Sequence, residues 1–258
     1  MLIALAGVMG LMGTLQSAQS PETGGSLARV EAAAEPWAGN IRVGGKAEAD
    51  LDVLEGPDGP LYRAGKVATD TKLPLGYPAP TPPGAIEIKQ YESVRRAEFS
   101  SSGGMGWGGG KGFWPLFRHI QRKDIAMTAP VETEYADTNN DRKLDRWTMA
   151  FLYHSTSDGP TGTDGAVEIV DTAPITVVSL GLRGGSAIKS PEKAAKLLEE
   201  WLAEHATEWK RQGDLRVLGY NGPNVRAANR WWEVQIPIER VSAPAAPASE
   251  SVDSEHKE

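Results

Sequence analysis

"RHIQRKDIAMTAPVETEY", residues 118–135, joins the end of a short amphipathic helix to an apolar strand that contains a proline. Upstream, Phe113, Leu116, Phe117 and Ile120 fall on one helical stripe, so the spacing predicts a helix over 113–121. At about 100° per residue His119 lies at the flank of that stripe and Arg118 points away. Pro130 has no N–H for a β-ladder, so the strand over 125–135 is expected to bulge or to sit at a sheet edge, leaving a groove beside the helix.

The same order recurs through the chain. A strand over 86–99, a Gly-rich loop, the helix and two strands, "IAMTAPVETEY" and "RWTMAFLY", make one half. A strand over 167–182, the loop "RGGSAIK", a helix over 191–209 and the strands "LRVLGYNGP" and "RWWEVQIPI" make the other. This is βαββ twice. "MTAPV" and "YNGPN" are expected at the same place in the two halves. In the second helix Ser190 can cap, Pro191 suits the first position, and Ala194, Leu197, Leu198, Trp201, Leu202, His205 and Trp209 share a stripe. "WTMAFLY" is apolar on both faces and reads as a central strand.

The chain of 258 residues, 40% hydrophobic, is long enough for one sizeable core. Residues 1–20 carry a short apolar run followed by small residues, which predicts a signal peptide, a periplasmic or secreted protein and no stable membrane span after processing. Residues 21–83, rich in Gly, Ala, Pro and acids, are expected to be a linker, 84–240 the folded domain, and 241–258 a disordered tail. A net charge of −7 with no basic block argues against nucleic acid as a partner. The sequence contains no cysteine, so disulfides and thiolate metal sites are excluded.

Several motifs invite chemistry and are outweighed by plainer readings. Gly104, Gly106 and Gly109 have the GxGxxG spacing, but the following helix is too short for a parallel crossover. Asp137, Asn139, Asp141 and Asp145 fit positions of a calcium loop. However, Arg142 replaces its glycine and Thr148 its closing glutamate, so a solvated turn is expected rather than calcium. The histidines have no metal spacing. Glu132 and Glu134 share a strand face that is expected to be wet, with nothing nearby to raise a pKa, so no hydrolase is read from them. Trp107, Phe113, Trp114, Phe117, Met127, Trp147, Met149, Phe151, Trp231 and Trp232 are read either as core or as the wall of a groove for a flat apolar ligand.

"GYPAPTPPGAIEIKQYESVRRAEF", "FWPLFRHIQRKDIAMTAPVE", "WTMAFLY", "ITVVSLGLRG" and "RWWEVQIPI", in this order, resemble the SOUL haem-binding protein family over residues 76–238. The resemblance implies an α+β fold of duplicated βαββ units forming a distorted antiparallel β-barrel flanked by two helices. It implies binding of haem or another porphyrin in an apolar groove beside the first helix and the "MTAPV" strand. Carried over by position, Phe117, Ile120, Met127 and Val131 line the groove, and Arg118 or Lys123 meets the propionates. For the iron, His119 is the first candidate ligand and Met127 the next; the alternative is that apolar contact and propionate pairing hold the haem while His119 stands at the rim. Two other functions remain open on the same fold: a small-molecule hydrolase or effector-binding domain, which needs a buried glutamate, and a protein-interaction scaffold.

Overall fold

The computed structural model describes residues 39–102, 110–136, 146–185 and 191–241, so the signal-peptide segment, the calcium-loop quartet Asp137, Asn139, Asp141 and Asp145, the Gly-rich loop 103–109 and the tail from 242 lie outside the described residues. The expected linker is structured from Ile41 onward. It holds β1 (Ile41–Gly45), β2 (Leu51–Gly56), β3 (Gly59–Ala64) and β4 (Val67–Ala68). Strands β2, β3 and β4 form a small antiparallel sheet, with Gly56 opposite Gly59 across a Pro57-Asp58 turn. Pro and Asp suit that turn, and Gly59 takes a φ of 134° that a side chain resists.

The rest follows the duplicated pattern. In chain order come β5 (Ala85–Tyr91), β6 (Arg95–Ser102), α1 (Gly110–Arg122), β7 (Val131–Ala136) and β8 (Arg146–Leu152). Next are β9 (Gly162–Asp164), β10 (Val167–Asp171), β11 (Ile175–Arg183), α2 (Pro191–Glu204), β12 (Trp209–Arg211), β13 (Leu215–Gly219) and β14 (Trp231–Arg240). The two βαββ units are β6-α1-β7-β8 and β11-α2-β13-β14. Each long first strand expected from sequence is two strands, broken at 92–94 and at 172–174.

The main sheet is antiparallel throughout, in the order β1-β5-β11-β14-β13-β7-β8-β6-β10-β9, with β12 added on β14. The core of this order is symmetric: exchanging β5 with β10, β11 with β6, β14 with β8 and β13 with β7 reverses it onto itself. The α+β class and the duplication are therefore as expected, and the curved sheet runs as an open ladder between β1 and β9 among the described residues. The seam is β7 against β13, and β8 has partners on both sides, as its two apolar faces suggested.

Pro130 does not bulge a strand or mark an edge. It stands before β7, and residues 125–130 are a lead-in held by the Ala129 amide on the Lys72 carbonyl (2.9 Å) and by the Thr128 hydroxyl on the Leu152 carbonyl (2.6 Å). "YNGPN" likewise follows β13 rather than matching "MTAPV" in sequence order. Antiparallel pairing sets Val131 opposite Gly219, so the two segments still meet at one end of the seam.

Both helices cover one face of the sheet. Leu116 and Ile120 of α1 pack with Met149 and Phe151, while Leu198 and Trp201 of α2 pack with Val217, Val234 and Ile236. The helix expected over 191–209 ends at Glu204: Leu197 of its expected stripe is exposed, and Trp209 opens β12 instead. The short "QRKD" connection closes α1 in a Schellman turn: Asp124 takes φ 54°, Ile125 N–H donates to the Ile120 carbonyl (2.9 Å), and Asp124 N–H donates to that of Gln121 (3.4 Å). Asp tolerates the left-handed position usually given to Gly.

Candidate functional site

The sheet face away from the helices carries charge and is nevertheless closed. Glu132, Arg216, Lys89, Glu233 and Gln235 are all buried there, beneath Leu73, Tyr77 and Thr81 of the N-terminal segment. Glu132, expected to be wet, accepts hydrogen bonds from Tyr77 (2.5 Å), Arg216 (2.8 Å) and Arg96 (3.1 Å), and Arg96 also reaches Glu134. Burial alone pushes the Glu132 carboxyl up, but the Arg216 and Arg96 charges and the bonds from Tyr77 and Arg216 outweigh it and hold it below the usual range. A cleft of about 310 Å³ opens on this network, lined by Tyr77, Tyr91, Arg96, Glu132 and Arg216. The buried glutamate that a hydrolase reading needs is present, but as a fixed anion. A general base titrating near neutrality is not what these neighbours make of it.

At α1 the expected site residues divide into two groups. Phe117 is half-buried, stacked on Phe113 (centroids 5.6 Å, planes 16° apart) and edge-on to Trp114 (5.9 Å). Trp114 and Met127 are exposed at 54% and 36%, and Arg118 and Lys123 are exposed as well. Val131 is half-buried against the α1 core cluster. Ile120, by contrast, is a core residue at 5% exposure and cannot line a surface groove.

His119 also departs from expectation. It is 1% exposed, with Nδ1 2.6 Å from an Asp164 carboxylate oxygen and Nε2 2.7 Å from the Tyr153 hydroxyl. With Nδ1 assigned as the protonated nitrogen, it donates to the Asp164 carboxylate and Nε2 accepts from the Tyr153 hydroxyl. Bonds from His119 and Arg122 hold Asp164 below its ordinary pKa, and burial pushes Tyr153 up to about 12. Tyr153 therefore stays a hydroxyl donor. With both nitrogens engaged, His119 offers none to an iron, unlike the ligation expected there; it ties α1 to Tyr153, just after β8, and to Asp164 of β9. The flank position hid this because the covering hairpin comes forty residues later.

His119, Tyr153 and Asp164 form one wall of a cleft of about 640 Å³. Ile125, Ala126 and Lys123 follow α1 along one side, Lys72 comes from the N-terminal segment, and His154, Pro160 and Ile169 close the other. Sequence reasoning missed Lys72, Tyr153, His154 and Asp164 as site residues. Only the placing of Tyr153 at the end of a central strand, with His154 next in sequence, pointed to them. Among the described residues, no three histidine, aspartate or glutamate side chains gather as a metal site, and no helix is long and apolar enough to cross a membrane.

No curated protein matches the chain. Solved structures align with it at low identity, one of them with a TM-score above 0.5. EcmrR in its DNA complex within EcmrR-RPo aligns with a TM-score of 0.51 at 16% identity, over 60% of this chain and 57% of that one. The EcmrR C-terminal domain aligns at 0.47 and 16%, over 60% and 98%, and a hydrolase from Listeria innocua at 0.45 and 12%, over 62% and 94%. The family model described as SOUL heme-binding protein matches residues 79–237, from six residues before β5 to Pro237 within β14, which takes in both helices and all but the end of the second βαββ unit: the chain belongs to the SOUL heme-binding protein family.

Proposed function

We propose that this protein binds haem or another tetrapyrrole beside α1 and the segment 123–131. The observation that carries the reading is the 640 Å³ cleft against that segment, within the range of small-molecule sites. Haem supplies its own iron and equatorial donors, so the chain need contribute only an apolar seat, cations for carboxylates and at most one axial group. The residues present fit that demand. In the cleft Ile125, Ala126 and Ile169 are apolar and Lys123 has no ion partner among the described residues; outside it, Trp114, Arg118 and Met127 are exposed on and just after the same helix. Titration of the full chain with haemin is expected to give a saturable Soret change at one equivalent. A linear, non-saturating response contradicts the reading and brings forward a protein-interaction role for the exposed Trp114.

Export to the periplasm or beyond is part of the same proposal, resting on the apolar run in residues 1–20. Intact-mass analysis of protein from its native source is expected to find a chain beginning near Pro21. A cytosolic chain retaining Met1 rules export out.

A further inference from the structure

We propose that the cleft between the end of α1 and residues 154–169 is the tetrapyrrole seat, with His154 as the side chain that reaches the metal and Lys72 and Lys123 pairing the propionates. This rests on the tetrapyrrole reading and chooses within it between two faces of the same helix: the outward face of Trp114 and Phe117, and the cleft on the opposite side of residues 123–126.

The two imidazoles of the cleft differ in what holds them. His119 is fixed at both nitrogens by Asp164 and Tyr153. His154 directly follows Tyr153, lines the cleft, and has a buried Nδ1 with no hydrogen-bond partner. A buried polar nitrogen without a partner is costly, and such groups in folded proteins ordinarily have a use. Neither ring nitrogen of His154 is committed to a described protein group, so the ring can turn to offer one.

The donor set also narrows the ligand. One free imidazole, with no group of three or more histidine, aspartate or glutamate side chains gathered there among the described residues, is too little for a bare metal ion. It is sufficient for a metal that arrives in a macrocycle. The cations agree with this. Lys72 and Lys123 enter the cleft from separate segments, and neither has an ion partner among the described residues. Of the three acids of the lining, Asp164 is engaged with Arg122 and His119 and Asp158 with the Ser155 amide, while Asp124 is exposed at its edge. The Tyr153-His119-Asp164 chain ties down the wall beside His154 by a hydrogen bond at each nitrogen of His119, and no such bond holds the His154 ring.

The test compares the wild-type full chain with His154→Phe, Lys72→Ala and Phe117→Ala, each checked for fold by circular dichroism. Both haemin and metal-free protoporphyrin serve as probes. His154→Phe is expected to abolish the ligation-dependent Soret shift and weaken haemin binding roughly tenfold or more, leaving protoporphyrin binding unchanged. Lys72→Ala is expected to weaken both probes by several-fold, and Phe117→Ala neither. If His154→Phe keeps the wild-type spectrum and affinity while Phe117→Ala weakens both probes, the cleft assignment is overturned and tetrapyrrole binding stands on the outward face. If wild-type protein binds neither probe saturably, the tetrapyrrole reading itself fails.

Discussion

Replacing Glu233 with alanine is expected to destabilise the protein by about 3–5 kcal/mol, the cost of leaving a buried charge without its partner. Glu233 and Lys89 are both fully buried, with Nζ 2.8 and 2.9 Å from the two carboxylate oxygens. The same carboxylate accepts the Thr81 amide (2.7 Å), the Ser179 hydroxyl (2.6 Å), the Tyr220 hydroxyl (2.8 Å) and the Gln235 amide (2.6 Å). Alanine would orphan all of these donors at once. Urea unfolding measures the loss, and a change below about 1 kcal/mol would mean that water reaches the site. Joint replacement by Lys89→Met and Glu233→Leu should recover only the part due to the stranded Lys89 charge, since the Thr81, Ser179, Tyr220 and Gln235 donors stay unpaired.

The network also sets the response to acid. Burial pushes the Glu233 carboxyl up, but Lys89 and the surrounding donors hold it below its ordinary value, and Glu132 is held low in the same way. A folded-state pKa below the unfolded one gives stability that is present above the unfolded value, about 4.3, and lost as pH falls through the folded value. The thermal midpoint should therefore drop on acidification below that point.

The second large effect is expected from Phe151→Ala, about 3–5 kcal/mol from the cavity left behind. Phe151 is 2% exposed on β8, between β6 and β7, with its ring edge-on to Phe113 of α1 at 5.3 Å. Trp147 and Met149 share its face and cluster. An unchanged urea midpoint would contradict the central place of this strand.

The helices, the duplication and β8 were legible because their residues repeat at the period of the element, and burial rewards that pattern directly. The inner face was not. Glu132 and Glu134 alternate as solvent-facing acids do, and only the return of residues 67–83 across the sheet makes Glu132 buried. That return lay in a stretch read by composition as linker, although "GPDG" at 56–59 is a hairpin signal in its own right. His119 was misjudged for a similar reason: its partners Tyr153 and Asp164 are distant in sequence, and helical periodicity says nothing about what covers a flank. The cleft residues Lys72, Lys123 and His154 come from three separate segments with no shared spacing, so no local pattern could assemble them.

Tetrapyrrole binding beside α1 can be read from amide hydrogen exchange of the full chain with and without one equivalent of haemin. Protection is expected at the C-terminal end of α1, at 123–131 and at 154–164, with α2 unchanged. Protection spread evenly over the sheet, or confined to α2, would contradict it.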